Sequence, residues 1–297
     1  MNAIVVNIGN ELLNGHTLNK NGYVIAKELT AQGVEVLEIV SIQDSKLALH
    51  KVLTRVEQSA DFCVITGGLG PTQDDQTRFD FADFFGLDCE YTESCFTHIL
   101  NIMGERGREF AKENKVQCYI PDGATTLANP LGTALGIHYT SSKVQYFLTP
   151  GVPREMNFIL TDSILPALSQ ENHWIKAEWY TYGLGESKLT QILGDWHPPK
   201  GITFASLPSE KVLLIRISSH TLSVADKIWQ ETKLFLDKTL PTECLLPEAG
   251  VIDSLARQLE IENAFLGTAE SCTGGLVGSL ITGLSGSSNW FKGSIVS

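Results

Sequence analysis

The sequence predicts an α/β protein: a parallel-rich sheet domain, then a small α+β unit, then a partial α/β segment. Three observations carry this. Short continuous apolar runs such as AIVVNI (residues 3–8) and FCVIT (62–66) suit strands buried on both faces. They alternate with helical patterns, which implies crossover connections and a parallel sheet. Glycine-rich turns follow both runs, where loops at the carboxyl edge of such a sheet would lie.

The elements follow in order. After the first strand and a Gly/Asn-rich turn, a helical pattern runs from about Asn21 to Gln32. Val24, Ile25 and Leu29 share a face, and Gly33 is the stop. Residues 34–40 (VEVLEIV) read as a second strand. Asp44 reads as the N-cap of a helix carrying Leu47, Leu49, Val52, Leu53 and Val56. DFCVITGG is a third strand running into a glycine turn, and residues 119–140 and 144–153 supply later strands and loops. Composition and Pro/Gly punctuation change near residue 170, so residues 1–170 form one domain. Residues 171–249 give a strand, turn and helix (WYTYGLGESKLTQIL), two strands joined by a Pro-Ser turn, and a helix in SVADKIWQETKLFLDKTL. Residues 250–297 give a helix (251–261), a short strand at AFLGTAES and a small-residue helix or loop.

Composition narrows the function classes. The chain has 297 residues and a formal net charge of −12, divided −8, −2 and −2 among residues 1–170, 171–250 and 251–297. That repels phosphate backbones and argues against a nucleic-acid partner. The six cysteines contain no CxxC pair, which fits neither a zinc site nor a disulfide scaffold. With a first strand where a signal peptide would stand, reduced thiols and a cytoplasmic location are expected. Residues 271–291 are uncharged, but five Ser, two Thr, five Gly and an Asn make them too polar to span a membrane.

Three constellations could carry chemistry. Gly67, Gly68, Leu69, Gly70, Pro71, Thr72, Gln73, Asp74 and Asp75 follow a strand and open a helix. Such a loop can turn N–H groups toward an anion. Asp74 and Asp75 fit phosphate binding if a divalent cation lies between them and the phosphate oxygens. The same residues also fit a glycine turn followed by acidic first-turn residues. The second constellation is GNELLNG (9–15) with Asn19, Lys20 and Asn21, on the same sheet edge. Glu11, Asn14, Asn19 and Asn21 suit metal or ribose contacts, and Asn19 and Asn21 equally suit helix caps. The third pairs Asn129–Thr133 with Pro150–Met156, two turns that read as ordinary on spacing alone.

Together these motifs resemble the CinA family. GNELLNG, Asn19, Asn21, TGGLGPTQDD with Thr77, the Asn129–Thr133 turn and PGVPREM recur in the family's order. The first domain is similar to the three-layer molybdopterin-binding fold of molybdenum-cofactor biosynthesis proteins. Residues 171–249 resemble the family's KH-like middle domain, and GTAESCTGG (267–275) resembles the start of its nicotinamide-nucleotide amidase domain. The resemblance implies an ADP-ribose pyrophosphatase: catalytic Asp74, Asp75 and Glu11, and a divalent metal (magnesium, manganese or cobalt class) on Asp74 and Asp75. It implies substrate contacts from Asn14, Asn19, Asn21, Gly67, Gly68, Leu69, Gly70, Thr72, Thr77, Asn129, Gly132, Gly151, Pro153 and Glu155, and a homodimer. The alternatives are a non-hydrolytic molybdopterin- or nucleotide-binding domain and a regulatory homologue. Lys20 stands where the family usually has Thr, and Leu135 where it often has Pro. Ser271 matches the amidase nucleophile, but the family's Tyr and Lys partners follow the segment matching GSIVS, so the amidase is expected to be inactive. The KH-like unit carries −2 charge and Gly183-Leu184-Gly185 in place of a GxxG grip, so a connector or dimerisation role is expected of it, not RNA binding.

Overall fold

The computed structural model describes residues 1–105, 107, 111–169, 174–209 and 212–297, and divides into units Met1–Asn172 and His173–Ser297. The domain boundary expected at 170/171, and the residues after the Pro-Ser turn (210 and 211), lie outside the described residues.

The first unit runs β1 (Asn2–Ile8), α1 (Asn10–Leu13), α2 (Lys20–Ala31), β2 (Glu35–Ile42), α3 (Lys46–Ser59), β3 (Phe62–Thr66), α4 (Thr77–Phe85), β4 (Cys89–Tyr91) and α5 (Glu93–Glu105). It continues with β5 (Tyr119–Pro121), β6 (Thr125–Leu127), β7 (Gly136–Thr140), β8 (Gln145–Thr149), α6 (Pro153–Ile159) and α7 (Leu165–Ser169). Six strands form one sheet in the order β2-β1-β3-β8-β7-β6. The first four are parallel, and β7 and β6 add antiparallel at one edge. Strand alternation makes β1 double-faced. Ile4, Val6 and Ile8 join Leu49, Val52, Leu53 and Val56 of α3 and Phe81 of α4 in one core. Ala3 and Val5 join Ile25 and Leu29 of α2 and Met156 and Ile159 of α6 in the other. The result is a helix–sheet–helix sandwich, and the parallel strands β1, β3 and β8 end on one edge.

Two readings of this unit are corrected. The N-cap of α3 is Ser45, whose side chain accepts from the Ala48 amide. Asp44 lies one residue earlier and is free for other work, while Leu47 is 66% exposed and does not join the core. Asp74 and Asp75 precede α4, which starts only at Thr77, so they are loop residues and not first-turn acids.

The second unit runs β9 (Ile175–Tyr182), α8 (Glu186–Leu193), β10 (Thr203–Pro208), β11 (Val212–Ser219), α9 (Lys227–Thr239), β12 (Leu245–Leu246), α10 (Val251–Ile261), β13 (Leu266–Glu270), α11 (Leu276–Thr282) and β14 (Phe291–Val296). An antiparallel sheet, β10-β11-β9-β12, shares a core with α8 and α9 through Trp179, Leu189, Ile215, Ile217, Trp229 and Leu236. β13 and β14 pair in parallel as a separate two-stranded sheet. The sequence did not mark β14, a strand of mostly exposed residues with Gly293 inside it.

Candidate functional site

The glycine loop leaves β3 at Thr66. Gly67 and Gly68 have φ of +111° and +67°, a region costly for other residues. A Cβ on Gly67 would collide with the Ile8 carbonyl, and one on Gly68 with the Thr77 hydroxyl. The Gly67 amide donates to the Thr149 carbonyl (3.0 Å), and the Thr77 amide donates to the Gly68 carbonyl (3.2 Å). The loop is thus clamped to β8 on one side and to α4 on the other. Among the described residues the amides of Gly68, Leu69 and Gly70 find no acceptor. Successive N–H groups without an acceptor are the kind of donor from which anion-binding concavities are built.

The next residues fold on themselves. Both the amide (2.9 Å) and the hydroxyl of Thr72 donate to Asp75 Oδ2, and a Cβ on Gly70 would sit 2.5 Å from that oxygen. Asp75 is therefore tied into the loop. Asp74 is the more exposed carboxylate; the Thr72 hydroxyl, whose one proton it shares with Asp75, and its own amide hold it below the usual range.

A cavity of about 380 Å³ opens over this loop. It is lined by Gly67 to Pro71, Asp74 and Asp75, by Glu11 and Asp44 from behind β1 and β2, and by Gly151 and Glu155 from behind β8. A second cavity of about 500 Å³ shares Ile8, Glu11 and Gly151 with it and adds Asn19, Lys20, Asn21 and Pro153. Asp44 Oδ2 accepts from the Asn10 amide (3.2 Å). Burial raises the Asp44 carboxyl, the Asn10 amide opposes this, and the negative charges of Glu11, Asp74 and Asp75 add to the rise.

Several expected contact residues are committed to the fold. Asn19 caps α2, accepting from the Gly22 amide (2.8 Å) and donating to Ser41 Oγ (3.1 Å). Asn21 ties α2 to two strand ends, donating to Thr66 Oγ1 (3.1 Å) and the Gly151 carbonyl (2.8 Å). Asn14 accepts from the His16 amide (3.1 Å) in a turn and lines neither cavity. Asn129 is fully buried and donates to Ala134 O (2.7 Å) and Glu155 Oε2 (2.8 Å). Gly132 packs directly on the Glu155 carboxylate. Of these residues, Asn19 and Asn21 line the larger cavity.

Three residues near the cavity escaped the sequence reading. Asp44 was masked by its resemblance to a cap. Gln117 donates to the Leu69 carbonyl (3.3 Å). Arg78, only 2% exposed, donates to the Val116 carbonyl (3.2 Å) and also to the Leu69 carbonyl. The available signal for Arg78 was that it is the only Lys or Arg between Arg55 and Arg106.

Ser271 is exposed just after β13. Its neighbour Glu270 is 5% exposed, and its carboxylate accepts from the Val277 amide (2.9 Å), the Gly278 amide (2.8 Å) and Ser294 Oγ (2.7 Å).

The family described as "Probable molybdopterin binding domain" matches residues 4–170, and "CinA C-terminal domain" matches residues 249–297. A CinA-like protein from Flavobacterium psychrophilum is 33% identical over 308 residues, covering 100% of this chain and 73% of the relative. The chain belongs to the CinA-like family. Another CinA-like protein, from Salinibacter ruber, is 32% identical over 100% of this chain and 74% of its own length. A crystal structure of CinA from Thermoplasma acidophilum matches 56% of this chain and 96% of its own with a TM-score of 0.52 and 30% identity. The shared family supports the parallel-rich α/β reading. Among the described residues no helix is long and apolar enough to cross a membrane.

Proposed function

We propose that the first unit hydrolyses a nucleotide diphosphate of the ADP-ribose class to AMP and ribose 5-phosphate, with a divalent cation, in pyridine-nucleotide recycling. The observation that supports this is one cavity lined both by Gly68, Leu69 and Gly70, whose amides have no acceptor among the described residues, and by Glu11, Asp44 and Asp74. The amides of Gly68, Leu69 and Gly70 receive the phosphate oxygens. The adjoining larger cavity gives a nucleoside room.

The donor set suits a hard cation. Among the described residues no three His, Cys, Asp or Glu side chains are grouped to hold a metal, which argues against an all-protein cage. A magnesium-class ion needs no cage, since one or two carboxylates and the ligand's phosphates hold it. Asp74 and Asp44 are assigned as its carboxylates, because Asp74 is exposed whereas Asp75 accepts from both the amide and the hydroxyl of Thr72. When bound, such an ion would polarise a phosphoryl oxygen and acidify a bound water.

The test is AMP release from ADP-ribose with and without magnesium, manganese or cobalt, on wild type, Asp74→Ala and Asp44→Asn. We expect metal-dependent turnover that falls by about a hundredfold or more in each variant. Turnover indifferent to metal or to both substitutions would refute the reading. Tight ADP-ribose binding without turnover would point to a non-hydrolytic nucleotide- or pterin-binding domain.

A further inference from the structure

Arg78 has no place in the chemistry just described, yet it is one of the largest fully buried side chains in the protein. Buried charges are normally paired, because an unpaired one carries a heavy desolvation cost. Arg78 makes no ion pair among the described residues; the Asp75 carboxylate favours its charged form only from beyond ion-pair distance. Two of its nitrogens donate to carbonyl oxygens, of Leu69 and Val116, and its Nε has no partner. The Leu69 carbonyl receives a second donor, Gln117 Nε2, and Gln117 is itself held by Asn114 Nδ2 (3.0 Å). So a buried cation and a buried amide both grip one carbonyl in the middle of the glycine loop.

The peptide plane turns this grip into a direction. In a trans peptide the carbonyl oxygen and the following N–H point to opposite sides. With the Leu69 oxygen drawn inward to Arg78, the Gly70 N–H is turned outward, and Gly70 lines the cavity. The clamp between the Gly68 carbonyl and the Thr77 amide acts in the same way on the Leu69 N–H.

We propose that Arg78 is a positioning residue of the ligand loop. Its guanidinium fixes the Leu69 peptide so that the Gly70 N–H faces the cavity, and a phosphate-type oxyanion bound over the loop completes the charge balance of this buried cation. The proposal rests on the reading of the loop as a phosphate cradle, but not on hydrolysis. It also accounts for a cavity whose lining side chains carry five carboxylates and no cation (Glu11, Asp44, Asp74, Asp75 and Glu155) accepting an anion. The favourable charge comes from beneath the loop.

The experiment is AMP binding by calorimetry, at fixed salt, to the whole chain as wild type, Arg78→Gln and Arg78→Lys, with ADP-ribose hydrolysis measured on the same samples. Arg78→Gln is expected to weaken AMP at least about tenfold. Arg78→Lys gives up the bond to Val116 but keeps the charge and a donor for the Leu69 carbonyl, and is expected to recover affinity to within about threefold of wild type. A smaller loss in Arg78→Gln, or an equal loss in both variants, overturns the proposal, the latter because it marks a merely structural strut. Failure of wild type to bind AMP overturns it as well. Should Arg78→Gln not fold, Gln117→Leu decides. With an unchanged melting temperature, a loss of AMP affinity of about threefold or more supports the proposal and a smaller one overturns it. AMP binding with the Arg78 pattern but no turnover leaves the inference standing and removes the hydrolase reading. Turnover with unaltered AMP affinity in Arg78→Gln does the reverse.

Discussion

The first unit and the segment 251–297 are both recognisable parts of one family, yet they are held together differently. In the first unit a six-stranded sheet buries side chains on both faces: Phe81, Tyr146, Phe147 and Leu53 are all at most 1% exposed. In the last segment a two-stranded sheet shares a smaller core, with Ala256, Ile281 and Trp290 buried and six partly buried apolar residues packed against them. Large apolar groups there face solvent, among them Phe265 (63%), Leu276 (58%) and Ile295 (76%). Its most connected group is the Glu270 carboxylate. Apolar burial organises the first region, and hydrogen bonds to one charge organise the second. The difference bears on function, because a cavity built from strand ends needs a rigid sheet behind it.

The largest effect should come from the apolar side of this contrast. Phe81 packs edge-on against Tyr146 (5.2 Å) and Tyr139 (5.7 Å) and tilted against Phe85 (5.0 Å). Phe81→Ala is expected to cost the first unit about 3–5 kcal/mol in urea unfolding. Leu276→Ala should stay within about 0.5 kcal/mol. Comparable losses in the two would break the contrast.

A middle-sized effect sharpens it, because the first unit also contains a polar node. Asn129 holds the Ala134 carbonyl, the Glu155 carboxylate and the Leu131 amide (3.1 Å). Asn129→Ala removes the donor to the buried Ala134 carbonyl and to the Glu155 carboxylate and is expected to cost about 1–3 kcal/mol. If Asn129 instead acted by touching ligand, the variant would lose ADP-ribose affinity at unchanged stability, and paired melting and binding measurements separate the two.

Much of this was legible in the sequence because periodicity reports burial directly. β1, β3, α2 and α3 stand where their apolar patterns place them, and the glycine loop stands at the strand end its composition requires. What was hidden depended on choices between chemically equivalent neighbours. Asp44 and Ser45 are both good caps, and spacing alone does not say that Ser45 takes the role and leaves Asp44 to the cavity. Asn19 and Asn21 look alike as ligand contacts until their partners are seen. Arg78 was illegible because a charged residue in a helical pattern is normally assigned to the surface. β14 was illegible because a strand with polar and glycine positions has no alternating signature.

The smallest predicted effect is the most local. Desolvation would raise the Glu270 pKa, but hydrogen bonds from Ser294, Gly278, Val277 and Thr273 outweigh it and hold the carboxyl down to about 2, from an ordinary 4.5. The folded value lies below the unfolded one, so the ionised carboxylate stabilises the segment above pH 4.5. That contribution is lost as pH falls from there through about 2. Protection of the Val277 and Gly278 amides from hydrogen exchange, corrected for intrinsic rates, should fall over this window and change little above it. Glu270→Gln keeps the shape and removes the charge. It should lower protection at those two amides at neutral pH and reduce the melting temperature by only about 2–4 °C. If protection were independent of pH from 2 to 7 and unchanged in Glu270→Gln, the last segment would have to be held by its few apolar contacts after all, and the contrast with the first unit would be one of size and not of kind.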